Sequence, residues 1–210
     1  MCFSATASFT AGTGLTLIGV ATLRLAPRKS DKLFASIPLL FGIQQLTEGM
    51  IWLSLPASAF LSVLIVFYLL FSHVIWPTLL PLSVSLMEKN RWRRNVLRVC
   101  TGVGLIVSVY FLHYLFTEHV TATIMNKCIV YNSPHFFRTF LLSPYTLATC
   151  ASCLFSSHRI VNLFGVVAFL SALIAMYFFQ QSFVSVWCFF GAILSVIIYA
   201  HFHGERQLKR

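Results

Sequence analysis

LFASIPLLFGIQQLTEGMIWLSL, residues 33–55, is the stretch on which the fold turns. It meets the roughly 20 residues a helix needs to cross a bilayer, yet it carries Gln44, Gln45 and Glu48 near its middle. No Lys, Arg or His lies within fifteen positions of Glu48 on either side. A carboxylate at helix centre costs about 3 kcal/mol on insertion scales, so such residues face a bundle interior, a watery cavity or a partner. Gln44, Gln45, Glu48 and Trp52 follow the i, i+1, i+4, i+8 spacing of one helix face. The stretch therefore predicts one helix of a multi-helix membrane bundle, with Glu48 turned inward and marking the region where function lies.

The rest of the chain agrees. Its 210 residues are 58% hydrophobic and 10% charged, with mean hydropathy +0.84, far from the roughly 25% charge of soluble domains. Seven apolar stretches approach spanning length: 3–25, 33–55, 60–83, 96–116, 139–156, 160–179 and 182–202. The expected fold is all-α, a polytopic helix bundle forming one transmembrane domain over 1–210, without linker or repeat. The start lacks a basic n-region and a small-residue cleavage site, so the first helix is expected to remain in the mature protein.

Charge orients the bundle. With the N-terminus outside, Arg24, Arg28, Lys29, Lys32, Lys89, Arg91, Arg93, Arg94, Arg98, Arg159, Arg206, Lys209 and Arg210 lie on the cytoplasmic side, and only Lys127 and Arg138 outside. The positive-inside rule thus predicts N-out and C-in. A net charge of +10 spread over short segments forms no nucleic-acid groove; topogenesis and anionic lipid account for it better. In this topology Cys2, Cys128 and Cys188 face outward and Cys100, Cys150 and Cys153 inward, and only the first group meets an oxidising compartment.

Candidate site residues follow from depth. Ser4, Thr6, Ser8, Thr10, Gly12, Thr13 and Gly14 make the outer half of the first helix small and polar, a pattern for close helix packing or for lining a cavity. In the third helix His73 precedes Trp76, Pro77 and Pro81; Pro77 frees the His73 carbonyl and Pro81 that of Pro77, and freed carbonyls need partners or a cavity. At about 1.5 Å per residue, Tyr145 and Cys188 fall level with Glu48, about 10 Å below the outer surface. The expected polar pocket is Cys2, Ser4, Gln44, Gln45, Glu48, His73, His113, Tyr145, Ser185 and Cys188. Glu, His and Cys are transition-metal donors, which makes Glu48, His73 and Cys188 a speculative metal set, although no two share a close ligand spacing. His73, Tyr145 or a first-helix hydroxyl is the expected partner of Glu48. Cys150 and Cys153 form a CxxC inside an apolar helix, where packing is the better reading than redox chemistry. The long loop 117–138 is a candidate lid.

Several motifs resemble those of a family of small bacterial multi-pass membrane proteins grouped as a domain of unknown function. They are Met1-Cys2-Phe3-Ser4-Ala5 with Ala7-Ser8-Phe9, Ile37-Pro38-Leu39-Leu40-Phe41-Gly42 with Gln44-Gln45 and Glu48-Gly49, Trp76-Pro77 with Pro81, and Ser185-Val186-Trp187-Cys188-Phe189-Phe190. The resemblance implies that Cys2, Glu48, Trp76, Pro77 and Cys188 belong to the family's pattern and points to a bacterial inner membrane; it implies no activity. Cys2 and Cys188, each in the outer third of its helix and in such a motif, are expected to meet as packed thiols, a disulfide or shared ligands.

Three functions compete. The first is a polar, metal-capable pocket open to the non-cytoplasmic side that binds or moves a small solute or ion. The second is a membrane enzyme using Glu48 with a metal, or Cys2 as nucleophile. The third is a structural or assembly subunit. No nucleotide-binding loop, serine elbow or zinc-protease signature is present. The bilayer is the one firm partner, and oligomeric state is left open.

Overall fold

The structure, a computed structural model, describes residues 4–55, 60–132 and 139–207. Helix α1 (Ala5–Leu25) begins at Ser4, whose hydroxyl accepts the Ala7 N–H at 3.2 Å. That bond satisfies one of the orphan donors of a helix start. Ser4 thus caps a helix, and no hydrogen bond takes its side chain to the Glu48 region. After a one-turn helix, Lys32–Ala35, helix α2 (Ile37–Ser54) starts with Pro38 in its first turn, where the missing N–H costs nothing. The stretch 33–55 is therefore broken at Ser36 rather than being one continuous helix.

Helix α3 (Leu61–Met87) contains a π-helical turn, Leu70–Ile75. Helix α4 (Arg91–Thr117) is capped by Asn90, which accepts the Trp92 and Arg93 N–H groups. The cap places the basic cluster inside the helix, five residues before the expected start. Helix α5, residues 139–154, joins Thr139–Thr146 to Ser152–Leu154 through a second π-helical turn, Leu147–Ala151. Helices α6 (Arg159–Phe178) and α7 (Phe183–Gln207) complete the bundle.

Five segments are long and apolar enough to cross a membrane: Ala5–Leu25, Leu61–Met87, Arg91–Thr117, Arg159–Phe178 and Gln180–Gly204. This fits an integral membrane protein. The internal polar groups of α2 lower its hydropathy, and α5 is short.

Packing follows the small residues. Helix α1 lies on α2 so closely that a Cβ on Gly19 would sit 2.3 Å from the Leu39 nitrogen, and one on Gly12 2.8 Å from that of Leu46. Between α3 and α4 the approach is closer still: a Cβ on Gly104 would lie 1.9 Å from the Pro77 carbonyl oxygen. Pro81 has no N–H to offer that carbonyl, and Gly104 lets the exposed oxygen lie against a second backbone. Helix α7 packs on α6, α2 and α1, and the π turn of α5 packs on α3, α4 and α6.

One element departs from the all-helical expectation. Strands β1 (Thr121–Met125) and β2 (Cys128–Asn132) pair antiparallel with Met125 opposite Cys128. Asn126 and Lys127 turn with φ of 50° and 59°, the left-handed pair that matches the twist of a two-residue hairpin. β1 is largely exposed, whereas Cys128, Ile129, Val130 and Tyr131 are buried against the bundle.

At the opposite end, Glu88 joins two connections. Its carboxylate accepts the Asn90 N–H at 2.9 Å, the Ser157 N–H at 2.7 Å and the Ser157 hydroxyl at 2.9 Å. Arg93 donates to the Phe155 and Ser156 carbonyls beside it. Burial acts to raise the Glu88 pKa, but the hydrogen bonds outweigh it and hold the carboxyl below its ordinary value. A depressed folded pKa gives stability that is full above the unfolded value and is lost as pH falls through the folded one. Glu88→Gln should therefore lower stability by about 1 kcal/mol at neutral pH. Thermal melts should show the deficit shrinking below the ordinary carboxylate range; a deficit independent of pH would refute the assignment.

Candidate functional site

Glu48 sits on α2 two turns from the hairpin end and is fully buried. Its Oε1 accepts the Ser185 hydroxyl of α7 at 2.6 Å and the Tyr131 hydroxyl of β2 at 3.4 Å. Tyr131 reaches this depth by stacking on Tyr68 of α3, with ring centroids 4.8 Å apart and planes 14° from parallel. The hairpin is thus locked onto the bundle by an aromatic pair whose polar edge touches the carboxylate. The buried Tyr68 hydroxyl lies beside Cys188 and Glu48.

One turn deeper, Gln44 connects three helices. Its amide donates to the Cys188 sulfur at 3.2 Å, and its carbonyl accepts the Trp76 indole N–H at 2.9 Å. Trp76 is stacked on Phe41, centroids 4.0 Å apart. Cys188 is a buried free thiol, so its disulfide alternative fails; Cys2 lies outside the described residues. Cys128 is disulfide-bonded. A cavity of about 40 Å³ lies next to Cys188, lined by Trp76, Tyr145, Thr149, Trp187 and Gly191 among others. That is room for about one or two waters.

Gln45, on the same helix, is fully buried with neither amide atom hydrogen-bonded, and the buried Ser8 hydroxyl of α1 is likewise unbonded. Ser8 shares the height of Glu48, because its neighbour Phe9 packs on Gly49. A buried amide or hydroxyl without partners costs roughly 2 kcal/mol or more.

His73 and Tyr145 form an adjoining group. The imidazole Nδ1 is 2.7 Å from the Ser72 hydroxyl and its ring meets Phe111 edge-on. Tyr145 donates to the Ser72 carbonyl, and Ser108 donates to that of Val74 at 2.6 Å. Both acceptors lie in the π turn of α3, just before Trp76-Pro77. The widened turn presents carbonyls to side-chain donors, and Tyr145 comes from the segment that runs into the second π turn. Such turns are concentrated at functional sites.

Not every expected residue joins the site. His113 is exposed: Phe111 and Leu115 carry the buried face of α4, and a residue two positions from each points away from it. Among the described residues no three His, Cys, Asp or Glu side chains come together as metal ligands, so Glu48, His73 and Cys188 do not form the expected metal set. Cys150 and Cys153 are buried free thiols, with Cys153 packed where Gly165 leaves room. Tyr131 and Tyr68 are the contributors that sequence reasoning missed. The signal for Tyr131 was the β-branched run 121–130 around Asn126-Lys127.

Over residues 1–210 the chain matches a family of unknown function, DUF6629, and it belongs to that family. No curated protein and no solved structure matches it.

Proposed function

We propose that this DUF6629 protein spans a bacterial inner membrane seven times, N-terminus outside, and that its Glu48 centre binds and passes a small cation, the proton included. Entry is from the non-cytoplasmic side, past the hairpin Thr121–Asn132 acting as a lid. The carrying observation is a fully buried carboxylate accompanied by fully buried Gln45 and Ser8 groups with no hydrogen-bond partner. Intramembrane acids of this kind mark ion and proton pathways. Tyr131 bridges lid and site, so any displacement of the hairpin breaks a bond to Glu48.

Two observations support the orientation. With the N-terminus outside, the order of the helices assigns thirteen of the fifteen Lys and Arg residues to cytoplasmic segments. The disulfide at Cys128 suits an oxidising compartment. Reporter fusions after Lys32 and Arg94 should read cytoplasmic and one at Asn132 external; the reverse at any of the three removes this topology. The activity is tested in liposomes with a trapped pH- or cation-sensitive dye under an imposed potential. Protein-dependent flux of proton, sodium, potassium or ammonium is expected. Folded, reconstituted protein that moves none of the four would overturn the proposal.

A further inference from the structure

The first two turns of α4 hold Arg91, Arg93, Arg94 and Arg98 with no acidic residue in the first turn. A helix start carries roughly half a positive charge, so cations there are unfavourable unless an anion joins them. The nearby carboxylate of Glu88 is already engaged by Asn90 and Ser157, and Arg93 is turned to the Phe155 and Ser156 carbonyls. Arg94 remains, its Nε buried and without a hydrogen bond. Arg98, one turn on, shares its face. Both line a groove of about 280 Å³ with Leu82, Ser85, Leu86 and Thr101.

We infer that this groove binds the phosphate of an anionic phospholipid. Arg94 and Arg98 would hold the phosphodiester as paired guanidinium donors, which suit phosphate oxygens better than lysine does. Ser85 and Thr101 also line the groove, the Thr101 hydroxyl donating to the Leu97 carbonyl of its own helix. Leu82 and Leu86, 37% and 51% exposed, extend an apolar rail along α3 for the acyl chain. The site is at the helix ends where headgroups lie, and a lipid joins both chemistries where free phosphate would use only the arginines. The inference rests on the membrane-spanning reading but not on the Glu48 centre, so its failure would leave cation flux untouched.

The test is thermal unfolding of the full chain in detergent, titrated with phosphatidylglycerol, phosphatidylcholine or inorganic phosphate. Phosphatidylglycerol should raise the melting temperature where phosphatidylcholine does not. The doubly substituted R94Q/R98Q protein should melt like the parent without lipid and need at least about tenfold more phosphatidylglycerol for the same shift. A K29Q/K32Q protein, with the same loss of charge, should respond as the parent does. Equal responses from the two double variants would overturn the site. A full shift from inorganic phosphate alone would overturn the lipid as its occupant, and an equal shift from phosphatidylcholine would remove the anion requirement. If R94Q/R98Q does not fold, Arg98→Gln alone, at an exposed position, should still weaken the phosphatidylglycerol response, and an unchanged response would reject the site.

Discussion

Gly104→Ala should prevent α3 and α4 from packing as they do, lowering stability by roughly 3 kcal/mol or more, at the upper end of overpacking costs. The new Cβ would lie 1.9 Å from the Pro77 oxygen and 2.6 Å from its carbon. These are backbone atoms, so no rotamer change relieves the clash and the helices must separate. Their separation would also disturb the Ser108 bonds to Thr78 and to the Val74 carbonyl, which join the same two helices. Gly102 supplies the control, since a Cβ there meets nothing within 4 Å. Gly102→Ala should be neutral or stabilising by up to about 1 kcal/mol through helix propensity alone. Thermal melts and size-exclusion profiles of the two variants should diverge sharply; closely similar melts would mean that the α3–α4 approach is looser than described.

The contrast between these glycines shows where the sequence stops being informative. The five helices long and apolar enough to cross a membrane were legible because bilayer thickness sets length and hydropathy, and Glu48 was legible because burying a carboxylate needs a reason. Of the small residues of α1 read as packing or cavity lining, Gly12 is closely approached by α2, whereas a Cβ on Gly14 would meet nothing within 4 Å. The π turns were not legible: one lies just before Pro77 in α3 and the other just after Pro144 in α5, and proline announces only a freed carbonyl. His113 was misplaced because depth along a helix was used without its angular position. Tyr131 was read as part of the candidate lid 117–138 and not of the pocket, because Asn126-Lys127 lacks the glycine that marks most two-residue hairpin turns although both residues adopt positive φ. Distant partners such as Gln44 with Cys188 and Trp76 depend on how α2, α3 and α7 assemble, which no local pattern encodes.

Glu48→Gln should leave the bundle folded and reduce cation flux by at least about thirtyfold, the scale set by removing one member of a buried charge interaction. The two effects separate because of how Oε1 is used. It accepts hydrogen bonds from Ser185 and Tyr131, and a glutamine carbonyl oxygen can accept both at the same position. Stability should therefore change by no more than about 1 kcal/mol, while the carboxyl group is replaced by an uncharged amide. Glu48→Leu removes the acceptor as well, leaving the buried Ser185 hydroxyl without that partner, and should be clearly less stable than Glu48→Gln. Ser185→Ala retains the charge and tests whether orientation of the carboxylate matters: flux should fall less than with Glu48→Gln. Should Glu48→Gln conduct as the parent does while Glu48→Leu merely melts lower, the carboxylate holds α2 to α7 and the hairpin and does no more, and the ion-pathway reading fails at its centre.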